Sequence, residues 1–135
     1  MVDLPAAVVF ARRFHAASVW CGRSELDPEA TAGHFQALIE NPNAYFHVTE
    51  SGFIAGLVYD LPFAPATKIG EELYWYCEEK GAGKALREGF EAWARARGAS
   101  FIQLSFQADE RAPRIQALLE RADYEPVTIV MRKAA

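Results

Sequence analysis

The stretch that most constrains the chain is EELYWYCEEKGAGKALREGFEAWARARGA, from Glu71 to Ala99. Its first seven residues are rich in aromatic and β-prone types and read as a strand. On strict alternation Glu71, Leu73, Trp75 and Cys77 share one face, and Glu72, Tyr74 and Tyr76 share the other. KGAG then turns the chain into a helix whose apolar stripe is Leu86, Phe90, Trp93 and Ala94, with Gly98 at its end. The first N–H groups of a helix have no internal partner, the helix dipole favours an anion beside them, and glycines let a ligand approach the backbone. A strand, a glycine turn and a helix in that order can therefore hold a phosphate. Lys80 and Lys84 flank the turn and supply countercharge.

Two familiar phosphate motifs are excluded. A P-loop has four residues between its glycines and then Lys-Ser/Thr, whereas this turn reads Gly81-Ala82-Gly83-Lys84-Ala85. A dinucleotide fingerprint needs a third glycine where this chain has Leu86. A bare GxG serves equally well as a structural turn.

Around this unit, Asp3 and Pro5 open a helix running to about Ser18, with Ala7, Val8, Ala11 and Phe14 on one stripe. Asp27-Pro28-Glu29 opens a second, buried through Phe35, Leu38 and Ile39 and stopped at Asn41-Pro42-Asn43. AYFHVTE and FIAGLVYD, joined at Ser51-Gly52, read as a β-hairpin. LPFAPAT reads as a loop. SFIQLSF is predicted as a strand, Pro113 to about Ala122 as a helix, and PVTIVMRK as a closing strand. The expectation is an α/β domain with a mixed sheet layered by helices, EELYWYC and SFIQLSF running parallel through a right-handed crossover. No repeat or linker divides residues 1–135, so one domain is expected.

The residues at hand narrow the function classes. Hydrophobic residues make up 51% and charged residues 24%, a globular mix. No apolar run approaches the roughly 20 residues of a membrane span. The start lacks the pattern of a secretory signal. A net charge of −4 argues against nucleic acid as a partner. Cys21 and Cys77 have no CxxC spacing and read as reduced thiols, so a cytoplasmic location is expected. His15, His34 and His47 form no HxxxH or HExxH pair, so no metal is expected. His47 and Cys77 would make a nucleophile pair only if the fold brought them together.

Taken whole, the chain resembles the GNAT superfamily (GCN5-related N-acetyltransferases). DLPAAVVFARRFHAAS resembles that family's first helix and AYFHVTESGFIAGLVYDLPF its central hairpin. ELYWYC, KGAGKAL and EAWARARGA are similar to its CoA-binding strand, loop and helix, and RAPRIQALLERADYEP to its late helix. The family loop is Gln/Arg-x-x-Gly-x-Gly/Ala, matched by Lys80-Gly81-Ala82-Gly83-Lys84-Ala85 with lysine in the first place. A second register sets Gly81 and Gly83 on the two glycine places.

The resemblance implies a GNAT-like mixed sheet with its first strand missing or reduced to Met1-Val2. It implies acetyl-CoA as co-substrate. Pyrophosphate would be held at Lys80, Gly81, Ala82, Gly83, Lys84 and Ala85, with the pantetheine arm paired against Tyr76 and Cys77. It also implies direct attack by a primary amine of a small molecule or peptide, with a base on the strand to take the ammonium proton. Glu71 and Glu72 are the candidates; Glu72 is favoured because Tyr74 and Tyr76 are expected on its face. Arg111 and Arg114 are candidates for the adenosine phosphate. The departures are the two-residue Glu78-Glu79 spacer, Asp123 where a glycine is usual, and Leu119 where many members carry the tyrosine that protonates the leaving thiolate. These motivate the alternative of a catalytically weak or inactive acyl-CoA-binding or protein-interaction module. AYFHVTE would lie at a sheet edge, which a homodimer would cover.

Overall fold

A computed structural model describes residues 2–135 of the chain. It contains α1 (Leu4–Ala16), α2 (Pro28–Glu40), β1 (Ala44–Val48), β2 (Gly52–Leu61), β3 (Ala64–Cys77), α3 (Ala82–Ala96), β4 (Phe101–Gln103) and α4 (Ala112–Glu120). It divides into two compact units, Met1–Ser105 and Phe106–Ala135.

In the first unit the sheet runs β1-β2-β3-β4, antiparallel until β3 and β4, which are parallel. The mixed α/β class follows from this order. Asp3 caps α1 by accepting from the Ala6 N–H, and Asp27 caps α2 by accepting from Glu29 and Ala30, each just before a proline-bearing first turn. One sheet face packs on α1 and α2 through Ala7, Phe10, Ala11, Phe35, Leu38, Phe53 and Ala55. The other packs on α3 through Ile54, Leu86 and Phe90. Phe35 meets Phe46 edge-on at 5.0 Å and Tyr74 at 5.5 Å. Truncating such a side chain to alanine costs about 3–5 kcal/mol. Phe10, which the predicted stripe of α1 omits, is buried here against Phe53.

Three expectations change. The loop predicted at LPFAPAT shrinks to a turn at Pro62-Phe63, because β3 already begins at Ala64, which pairs with Leu61 before a register shift brings Lys68 opposite Asp60. The strand predicted at SFIQLSF is only Phe101–Gln103, pairing Ile69↔Phe101, Gly70↔Ile102 and Glu71↔Gln103. Of the Met1-Val2 remnant, Met1 lies outside the described residues and Val2 is in no strand, so β1 forms one edge of the sheet.

In the second unit α4 ends in a Schellman turn: Tyr124 N–H donates to the Leu119 carbonyl and Asp123 N–H to that of Glu120. Asp123 takes the left-handed φ of 67° that usually selects glycine. The strand predicted at PVTIVMRK is not formed. Val127, Ile129, Val130 and Met131 are 66–87% exposed, and residues 125–135 hold no ladder; β-propensity without a pairing partner does not make a strand.

Candidate active site

β3 carries the site because it loses a neighbour halfway along. Its pairing with β4 stops at Glu71↔Gln103, so from Glu72 onward β3 has no ladder partner on that side. At the same place its register with β2 slips. Gly56 faces Glu72 and Ala55 faces Tyr74, leaving Leu73 as the extra residue of a β-bulge. Bulges bend the strand that carries them and re-aim side chains.

The bulge corrects the expected faces. Ala55 and Gly56 are neighbours on β2 and point to opposite faces, so Tyr74 and Glu72 do not share one as strict alternation predicts. Leu73 and Tyr74 both pack on the α1/α2 cluster. Gly56, opposite Glu72, faces α3; a Cβ there would lie 2.5 Å from Phe90 Cε2 and 2.6 Å from the Glu71 carbonyl oxygen. Only glycine fits at that crossing.

The two candidate glutamates have different surroundings. Glu71 is half-buried and interacts with the Tyr59 phenol. Glu72 is 6% exposed. Its Oε2 accepts from the Ser105 N–H at 3.0 Å and lies 3.3 Å from the Ser105 hydroxyl. Burial pushes its carboxyl up to about 7; the Ser105 contacts oppose that rise and the Glu71 charge adds to it. Burial and the Glu72 charge also raise the Tyr74 phenol. Ser105 is absent from the sequence reading, which places it inside a strand; no pattern in the letters marks it.

The other predicted residues cluster at the far end of β3. Tyr76 packs on Phe10 at 6.1 Å and edge-on against Phe14 at 6.2 Å. Cys77 Sγ lies 3.4 Å from the Glu79 carbonyl oxygen and 3.8 Å from Ser51 Oγ, so among the described residues its hydrogen-bond partners are these and not His47. Trp75 lies on the α3 face and donates its indole N–H to the Gly83 carbonyl at 3.1 Å, so it packs the turn against the sheet. Gly81 is the N-cap of α3, at φ 89°, and no side chain caps that helix. Lys80 and Lys84 are exposed on either side, Lys84 3.6 Å from Glu88. Glu78 is paired with Arg13 at 2.6 Å, which offsets its charge beside the turn.

These residues fit a pyrophosphate: an uncapped helix end, a left-handed glycine and two exposed lysines. Ala82 and Ala85 also line a cavity of about 360 Å³ with His47, Thr49, Glu50, Ser51, Glu79 and Leu86. Leu119, at the tyrosine place, is a buried residue of α4. Among the described residues, no group of three or more His, Cys, Asp or Glu is placed to hold a metal, and no helix is long and apolar enough to cross a membrane.

No protein-family model matches the chain, and no curated protein matches it in sequence. Solved structures do match. A GCN5-related N-acetyltransferase from Ralstonia eutropha JMP134 superposes with a TM-score of 0.66 at 21% identity, covering 98% of this chain and 92% of that one. A transcriptional regulator from Bacillus halodurans C-125 gives 0.71 at 16% identity, covering 98% and 93%. Glucosamine-6-phosphate N-acetyltransferase from Arabidopsis thaliana gives 0.63 at 13% identity, covering 82% and 80%. With its mixed sheet parting between β3 and β4 and its glycine turn opening α3, the chain has the fold of the GCN5-related N-acetyltransferases.

Proposed function

We propose that the chain is an acyl-CoA-dependent N-acetyltransferase that moves an acetyl group from acetyl-CoA to a primary amine. The observation that carries this reading is a buried carboxyl, Glu72, which burial pushes up to about 7, at the point where β3 parts from β4. A base works best when its pKa lies near the operating pH.

Lys80, Gly81, Ala82, Gly83, Lys84 and Ala85 hold the pyrophosphate, and the unpaired side of β3 up to Tyr76 and Cys77 takes the pantetheine arm. Acetyl-CoA supplies the activated thioester. Glu72 takes one proton from the ammonium, directly or through a water, and the freed nitrogen bonds to the acetyl carbon. The carbon–sulfur bond then breaks, the electron pair leaves on sulfur, and the nitrogen gives its second proton to solvent to leave the neutral amide. Leu119 has no proton to give, so the thiolate takes its proton from solvent or from the Tyr74 phenol. The acceptor is a small-molecule or peptide amine; the glucosamine-6-phosphate enzyme of the same fold makes that sugar phosphate the first compound to try.

Leu119 favours one second reading, a CoA-binding module without turnover, since a fold does not fix an activity. Calorimetry with acetyl-CoA, followed by thiol release across an amine panel, separates the two. Ala85 is exposed in the first turn of α3. Ala85→Asp favours the helix dipole yet repels an anion. Micromolar binding lost in Ala85→Asp, with thiol release on one amine, supports the enzyme. Binding without release across the panel supports the module, and no binding at high micromolar acetyl-CoA overturns both.

A further inference from the structure

We propose that Ser105 is the positioning residue of this site: it fixes the Glu72 carboxylate across the gap where β3 and β4 part. The inference rests on the reading of Glu72 as the base.

The argument begins with the ladder. β3 and β4 pair over three residues and stop at Glu71↔Gln103. Two residues after Gln103, the Ser105 N–H has no strand carbonyl to meet. A backbone donor left without a partner away from water is costly. The Glu72 side chain supplies the acceptor at 3.0 Å, so a carboxylate oxygen takes the place that a β3 carbonyl would fill if the ladder continued. The strands are thereby joined by a side chain at the point where they separate.

The same contacts solve the carboxylate's own problem. A charged carboxylate that is 6% exposed needs partners. Among the described residues no cation contributes one. The ionisable group that acts on Glu72 is its β3 neighbour Glu71, and the Glu72 charge acts in turn on Tyr74. β2 sets Gly56 opposite it, and α3 brings Phe90 to that glycine. Among the described residues Ser105 alone supplies hydrogen bonds to Glu72, through its backbone N–H and its hydroxyl. Both favour the ionised form and hold one oxygen, leaving Oε1 for a proton from substrate.

The backbone N–H survives every substitution except proline, while the hydroxyl can be removed alone. Ser105→Ala is expected to move the titration of Glu72 upward by about half a pH unit to one pH unit. Ser105→Thr, which keeps the hydroxyl, is expected to restore it.

The test is ¹³C NMR of glutamate carboxyls in the full chain, with the Glu72 signal assigned by its loss in Glu72→Gln. A thermal melt of each variant checks that it folds. A signal titrating near 7 that moves up in Ser105→Ala and returns in Ser105→Thr supports the inference. A signal that stays put in folded Ser105→Ala overturns it. Activity separates this from the functional reading. If the carboxyl responds to Ser105 but Glu72→Gln leaves the pH profile of acetyl transfer unchanged, Ser105 still holds Glu72 and the assignment of Glu72 as base fails.

Discussion

Two regions of the first unit each bury a glutamate and treat it in opposite ways. On α3, Glu91 is 7% exposed and is flanked one turn before and one turn after by arginines. Arg87, itself largely buried, pairs with one carboxylate oxygen, and Arg95 reaches the other at 3.3 Å. On β3, Glu72 is equally buried and has no cation partner among the described residues; its hydrogen-bond donors come from Ser105. A buried charge with matched partners holds a structure in place. A buried carboxyl without a countercharge keeps its proton to higher pH and becomes a group that can trade protons near neutrality. Where the sheet stays closed under α3 the chain neutralises its acid, and where the sheet opens it does not.

The largest test of this contrast is catalytic. Glu72→Gln keeps the shape of the side chain and removes its basicity, so acetyl transfer should fall about 10²–10⁴-fold in steady-state assays. A loss under threefold would remove Glu72 from the chemistry. Glu91→Ala should do the reverse. It removes the short-range carboxylate partner of a largely buried guanidinium, which keeps Glu88 at 4.0 Å, and should cost up to about 3 kcal/mol in denaturant unfolding. If Glu91→Ala unfolds as easily as the native chain, the neutralised pair is not a structural element.

Stability against pH should divide the regions next. Folding raises the Glu72 carboxyl from its ordinary 4.5 to about 7, so folding favours its protonated form. That contribution is fully present below pH 4.5 and is lost as pH rises through 7, a total of about 3 kcal/mol. Glu72→Gln should flatten the curve in that window, as read by unfolding midpoints at pH 4.5, 6 and 8. An unchanged slope would mean that folding does not shift the Glu72 carboxyl. The smallest effect belongs to Arg95→Ala. Its side chain is 64% exposed, so losing its contact with Glu91 should cost under about 1 kcal/mol. A larger cost would show that Glu91 depends on both arginines.

Much of this molecule is legible in its letters. Caps and prolines announce α1 and α2, the aromatic alternation announces the β1–β2 hairpin, and the glycine turn announces α3. What escapes is what depends on partners. PVTIVMRK has strand composition, yet pairing decides, and no ladder holds Val127 to Met131. The bulge at Leu73 is invisible because strict alternation assumes one residue per step on both strands. Strict alternation singles out Glu72 for a face that it does not share with Tyr74. Its distinction from Glu71 is burial, and two adjacent glutamates are alike as letters. Ser105 escapes for the same reason, since its role exists only where β3 and β4 have parted.

The pH dependence of kcat/KM for acetyl transfer, native against Glu72→Gln, tests the account most directly. The native chain should show activity rising with pH through a limb near 7, and that limb should vanish in the variant along with most of the rate. A limb of the same position and height in Glu72→Gln would place the proton transfer elsewhere and leave the buried carboxyl as a tie between two strands.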